Sequence, residues 1–192
     1  MVELNHLTSW FNQFLVTGGA DGFRRLRVDP AQTGFFEGRE FRTFYEFNIP
    51  SGQSVIIKFS STVDFILFKQ SLEVDAGAIR LSAITGATES TAFATPLPVI
   101  GKNRMSTRRK YPTGSGFYET QVTLNSGGTI TGGTVVEVAR VVSSNATAQQ
   151  QTVGGQQSDE RGLPAGTYHL KLENLSNNAA TGVYSLFWEE RP

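Results

Sequence analysis

The sequence predicts an all-β domain, and three observations carry that expectation. Short runs alternate apolar and polar residues with a period of two, and glycine- or proline-containing turns separate them. One turn-then-strand device occurs twice: Ile49-Pro50-Ser51-Gly52-Gln53 leads into Ser54-Val55-Ile56-Ile57-Lys58-Phe59, and Leu163-Pro164-Ala165-Gly166-Thr167 leads into Tyr168-His169-Leu170-Lys171-Leu172. With 192 residues the chain is long enough for one complete sandwich or barrel with a sizeable core.

Taken in order, Leu4, Leu7, Phe11, Phe14 and Leu15 recur at helical spacing, and Thr8 or Ser9 is a suitable cap. A short helix is expected there, ending before Gly18-Gly19 and serving either as a lid on the sandwich or as an arm on a neighbouring subunit. From Phe23 the period changes to two. Phe41, Thr43, Tyr45, Phe47 and Ile49 share one face of a strand, with Arg42, Phe44, Glu46 and Asn48 on the other. Val55, Ile57 and Phe59 follow the Ser51-Gly52 turn, so the two runs read as a hairpin. Phe65-Ile66-Leu67-Phe68 is apolar on both faces, as in a central strand covered on both sides. Ile79, Leu81 and Ala83 follow Asp75-Ala76-Gly77.

Residues 92–118 interrupt the pattern with Pro96, Pro98, Pro112, Gly101, Gly114 and Gly116, and read as a long inserted loop. Strands resume at Gln121–Leu124 and Thr134–Val142. The glutamine-rich stretch from Ser143 to Ser158 reads as an exposed loop. Tyr168, Leu170 and Leu172, answered by Tyr184, Leu186 and Trp188 after Ser176-Asn177-Asn178, read as a second hairpin.

Lysine plus arginine and aspartate plus glutamate each number 17, for a net charge of zero, which argues against a general nucleic-acid binder. The 14 phenylalanines supply apolar surface enough to fold and argue against disorder. Without cysteine there is neither a disulfide framework nor a thiolate metal site, and the composition leans towards a cytoplasmic setting. Met1–His6 lacks the charge and apolar core of an export signal, and no segment approaches the roughly 20 apolar residues of a membrane span. A soluble protein without its own export signal is expected.

The clearest charge asymmetry is Lys102, Arg104, Arg108, Arg109 and Lys110 with Tyr111 beside them, and no acidic residue lies between Ser90 and Tyr118. Such a loop either docks on phosphate, acidic glycan or an acidic protein patch, or is solvated and paired within the assembly. Arg24, Arg25 and Arg27 have Asp29, Glu37 and Glu40 nearby and read as a structural ion-pair cluster. His6 and His169 are the two histidines, and neither has the spacing of a metal site or a catalytic triad partner. Gly114-Ser115-Gly116 does not match a nucleophile elbow. Glu46, Asp64, Glu73 and Asp75 offer carboxylate pairs of the kind a glycosidase needs, as any acidic set of this size would. Gly18-Gly19-Ala20-Asp21-Gly22 has a phosphate loop's glycines without its Lys-Ser/Thr ending, and reads as a hinge. Tyr184 with Trp188, or Tyr111 with Tyr118, could stack on sugar if exposed, against the commoner reading of core packing. Asn145-Ala146-Thr147 and Asn174-Leu175-Ser176 fit the glycosylation pattern without further implication.

Three stretches together resemble structural proteins of tailed-bacteriophage virions: Gly38 to Phe47, Asp75 to Leu81, and Gly166 to Asn174 continuing through Gly182 to Arg191. The resemblance covers nearly the whole chain from Phe23 onwards. It implies a β-sandwich that assembles as a homo-oligomer, often a trimer, on capsid, neck or tail, and it carries over no catalytic residue and no cofactor. The full expectation is therefore an antiparallel β-sandwich of jelly-roll type. A helix or arm would occupy residues 1–22 and a single domain residues 23–192, with the insertion at about 92–118. The chain would be a non-enzymatic decoration, collar or head-fibre protein, assembled in the bacterial cytoplasm into the virion. Its partners would be itself and other virion proteins, with no membrane and no direct nucleic acid. Leu4, Leu7, Phe11 and Phe14, together with Lys102, Arg104, Arg108, Arg109, Lys110 and Tyr111, are the expected docking residues. A tail-associated receptor- or glycan-binding module is the alternative.

Overall fold

The computed structural model describes residues 15–17, 24–26, 33–103, 119–143, 149–153 and 161–192. The chain forms two compact units, Met1–Thr33 and Gly34–Pro192. In the first, β1 (Leu15–Thr17) pairs antiparallel with β2 (Arg24–Leu26), Leu15 opposite Leu26. Leu15 was expected in a helix and is instead in a strand. Val16 and Thr17, which follow it, are β-branched and favour the extended backbone. Leu4, Leu7, Phe11 and Phe14 lie outside the described residues.

A four-residue helix, α1 (Thr33–Phe36), precedes the strands of the second unit. One sheet runs in the order β13 (Gln149–Val153), β5 (Asp64–Ala76), β16 (Ala180–Arg191), β3 (Glu40–Ile49) and β9 (Ile100–Gly101), and β14 (Arg161–Leu163) also pairs with β5. The other runs β12 (Thr134–Val142), β6 (Ala78–Thr85), β15 (Gly166–Asn174), β4 (Ser54–Ser61), β10 (Val122–Ser126) and β8 (Thr95–Pro96). A separate pair, β7 (Thr88–Thr91) with β11 (Thr129–Thr131), completes the set. All pairings are antiparallel.

The two large sheets bury one core. Phe41, Phe47, Ile49, Leu72, Tyr184 and Trp188 from one meet Ile57, Phe59, Leu81, Leu124, Leu170 and Leu172 from the other. Phe59 lies 4.7 Å from Phe65 and 5.6 Å from Trp188 between ring centroids, and both contacts cross the sandwich. On β3 the alternation holds: Phe41, Thr43, Phe47 and Ile49 are buried, whereas Arg42, Phe44, Glu46 and Asn48 are exposed.

Neither expected hairpin forms. β3 pairs with β16 and β9, and β4 pairs with β15 and β10, so the turn at Pro50–Gln53 carries the chain from one sheet to the other. β15 and β16 are likewise in opposite sheets, and their apolar faces meet across the core instead of side by side. The physical reason is that period-two alternation specifies a buried face but not a ladder partner. One side chain holds both crossings together. Asn174 Nδ2 donates to the carbonyls of Ile49 and Asn178 at 2.8 Å each, while Asn174 Oδ1 accepts from Ser176 N.

Two further expectations change. The polar stretch from Ser143 to Ser158, expected as an exposed loop, contains β13, paired with β5 from Gln149 opposite Val74 to Val153 opposite Gln70. The ladder there is made by backbone groups at a sheet edge, which does not require apolar side chains. The inserted loop contributes β8 and β9, and its residues 104–118 lie outside the described residues. Phe65 to Phe68 begins an interior strand, with Phe65 buried and Ile66, Leu67 and Phe68 half-buried.

Candidate functional site

The most heavily built polar region is the base of the excursion between Asn103 and Glu119. At its first root, Lys102 N donates to the Glu40 carbonyl at 2.9 Å, and Lys102 Nζ pairs with Glu40 Oε2 at 2.5 Å. Asn103 Nδ2 donates to the Phe35 carbonyl at 3.0 Å. At the second root, Glu190 Oε1 accepts from the Thr120 hydroxyl at 2.5 Å and from Trp188 Nε1 at 3.3 Å, and its Oε2 accepts from Gln121 N at 2.8 Å. Both roots are thus tied to neighbouring strands of one sheet, β3 and β16.

Beneath them lies a buried ion cluster. Glu189 and Glu40 are cross-strand partners, a like-charged pairing that would be unfavourable alone. Arg39 relieves it: its Nη1 donates to Glu189 Oε1 at 3.0 Å and to the Glu190 carbonyl at 2.7 Å, while its Nε donates to Glu37 at 2.7 Å. Arg191 adds a fork, Nε to Oε1 and Nη2 to Oε2 of Glu189, both at 3.2 Å. Burial nonetheless pushes the Glu189 carboxyl above its ordinary value; Arg191 and Arg39 pull the other way, and Glu40 and Glu37 add to the rise. Gly34 makes room for this carboxylate, since a Cβ there would stand 2.1 Å from Glu189 Cδ.

A second feature is the edge strand β12, where Val135, Val136, Val138 and Val142 are all about half exposed, at 47 to 60 %. Among the described residues its one ladder partner is β6, and no described strand pairs with the other side of its backbone.

Of the expected docking residues, Lys102 lies at the first root, and Arg104, Arg108, Arg109, Lys110 and Tyr111 lie outside the described residues. Glu37 and Glu40, expected beside Arg24, Arg25 and Arg27, engage Arg39 and Lys102. Sequence reasoning missed Arg39, Glu189 and Glu190. For Arg39 and Glu190 the signal was charge in phase with buried Phe41 and Trp188, in Gly38-Arg39-Glu40-Phe41 and Trp188-Glu189-Glu190; Glu189, on the other face opposite Glu40, gave no such signal. Tyr184 and Trp188 are core residues with no exposed surface. Glu46 and Glu73 flank Val183 on an outer sheet face, and with Asp64 and Asp75 they are exposed. The Asn174 amide is consumed inside the protein.

His169 is buried on the outer side of its sheet, and among the described residues neither ring nitrogen has a hydrogen-bond partner. Phe93 stands 5.6 Å away between centroids. Burial lowers the imidazole's proton affinity, with Glu89 opposing and Lys58 assisting. Among the described residues no group of three or more His, Asp or Glu is placed to hold a metal ion, and no helix is long and apolar enough to cross a membrane. No family model matches the chain, and neither curated proteins nor solved structures provide a match.

Proposed function

We propose that this chain is a non-enzymatic structural protein of a tailed-bacteriophage virion, a jelly roll that self-associates and docks on capsid, neck or tail. The strand order supports the jelly roll: β13-β5-β16-β3 against β12-β6-β15-β4 is the interleaving that two Greek keys produce. The observation that carries the assembly reading is the valine-rich edge of β12, because an exposed apolar sheet edge is a surface on which another chain can pack. A second copy, in a closed trimer, is the occupant we assign to it. The excursion, held at both roots, would present its basic residues to an acidic patch of a different virion protein.

Light scattering on the purified full-length protein at micromolar concentration tests the assembly. A mass three times that of the chain is expected, and a stable monomer would overturn it. Sedimentation of the protein with particles that lack it tests the docking, and failure to bind any such particle would sink the virion reading.

A further inference from the structure

Between the sheets lies a cavity of about 210 Å³, largely apolar, that opens beside β12 and β14. Phe65, Leu67 and Leu186 wall it from one sheet, and Phe59, Ala83 and Tyr168 from the other. Two of the polar side chains that line this largely apolar space, Gln70 and Glu137, are brought there by β-bulges.

On β5, Lys69 stands opposite Phe187 and Leu67 opposite Trp188, so Phe68 is an extra residue. Leu67 packs against the core, and without the bulge the inward position two residues on would belong to Lys69. The extra residue instead turns Gln70 inwards, where it is 3 % exposed and lines the cavity. On β12, Val135 stands opposite Ile84 and Glu137 opposite Ala83, so Val136 is the extra residue. Ala83 faces the core, and the bulge brings Glu137 to the same face and into the same cavity. Arg161 on β14 pairs with Glu137 at the mouth.

We propose that this cavity is a binding site for a small neutral amphiphile, an aromatic or aliphatic body bearing one hydroxyl. The charge on Glu137 is already matched by Arg161, so a charged ligand would have to break that pair, whereas a neutral hydroxyl can bond to the Gln70 amide without doing so. Size sets the body. A cavity of about 150 Å³ takes benzene, so this one suits about eight to ten non-hydrogen atoms.

The test compares 4-ethylphenol with ethylbenzene, which differ by the hydroxyl, in titrations of the full-length protein followed by methyl NMR. Saturable shifts at Leu163, Leu170 and Leu186 are expected, with 4-ethylphenol about tenfold tighter, as one hydrogen bond supplies. Gln70→Leu should remove that preference while ethylbenzene still binds. Should that variant fail to fold, Glu137→Gln, which keeps size and hydrogen-bonding capacity, should retain the preference but now admit octanoate, drawn by the freed Arg161. No saturable shift up to millimolar ligand, equal binding of the two probes by the wild type, or an undiminished preference in Gln70→Leu would overturn the proposal.

Discussion

Glu190, fully buried at the end of β16, accepts a 2.5 Å hydrogen bond from the hydroxyl of Thr120 at the second root of the excursion. The same carboxylate takes Gln121 N and Trp188 Nε1, so a single side chain joins loop root, sheet end and core. Glu190→Ala should therefore strand several buried donors and cost about 2 to 4 kcal/mol. Thr120→Val should cost about 1 kcal/mol. Urea unfolding measures both, and wild-type stability in Glu190→Ala would show that the link is incidental.

The raised proton affinity of Glu189 has a definite sign. Its folded form holds a proton more tightly than the unfolded chain does, so its contribution to stability is present at low pH. That contribution is lost as pH rises from about 4.5, the unfolded value, through the higher folded value. Carbon NMR of the Glu189 carboxyl should titrate above the ordinary range, and a midpoint at or below it would refute the assignment. Gly34→Ala would push against this pinned carboxylate and should destabilise by about 1 to 3 kcal/mol.

His169 has the opposite dependence. Its folded pKa is lowered, so the unfolded chain takes up the proton first, and stability falls as pH drops below about 6.5 towards the folded value. The charged groups facing the ring are Lys58 and Glu89, themselves paired at 2.5 Å. His169→Leu should remove this slope and be no more than about 1 kcal/mol less stable at pH 7, since it deletes a buried group that has no hydrogen-bond partner among the described residues. An unchanged slope in the variant would place the acid sensitivity elsewhere.

Charging the valine edge tests self-association. Val138→Glu with Val142→Glu should yield monomer while leaving the circular dichroism spectrum unchanged, because both side chains are about half exposed in the isolated chain. An oligomer of unaltered mass in the double variant would move the interface away from β12.

The basic excursion should bind its partner in a salt-dependent way. Arg104, Arg108 and Arg109 replaced together by Ala should weaken co-sedimentation with particles lacking the protein. The wild type should also weaken with salt, as exposed charges are screened beyond about 10 Å at 0.1 M. Folding should change little, at about 0 to 1 kcal/mol per surface pair. Equal attachment at every salt concentration would show that these arginines are only solvated.

The sequence alone determined which residues face inwards. Phe41, Phe47, Ile49, Ile57, Phe59, Leu170, Leu172, Leu186 and Trp188 are buried as their alternation predicts, because side-chain direction in a strand is a local property of the backbone. Tertiary structure alone decided which strand each one pairs with. A short turn such as Pro50–Gln53 can return the chain to the same sheet or carry it to the facing sheet, and the alternation on either side reads identically in both cases. Gln70 and Glu137 were invisible for a related reason: a bulge is a register difference between two strands, and neither strand's own sequence records it. The Arg39–Glu189 contact spans 150 positions, and only the pairing of β16 with β3 brings its two charges within reach.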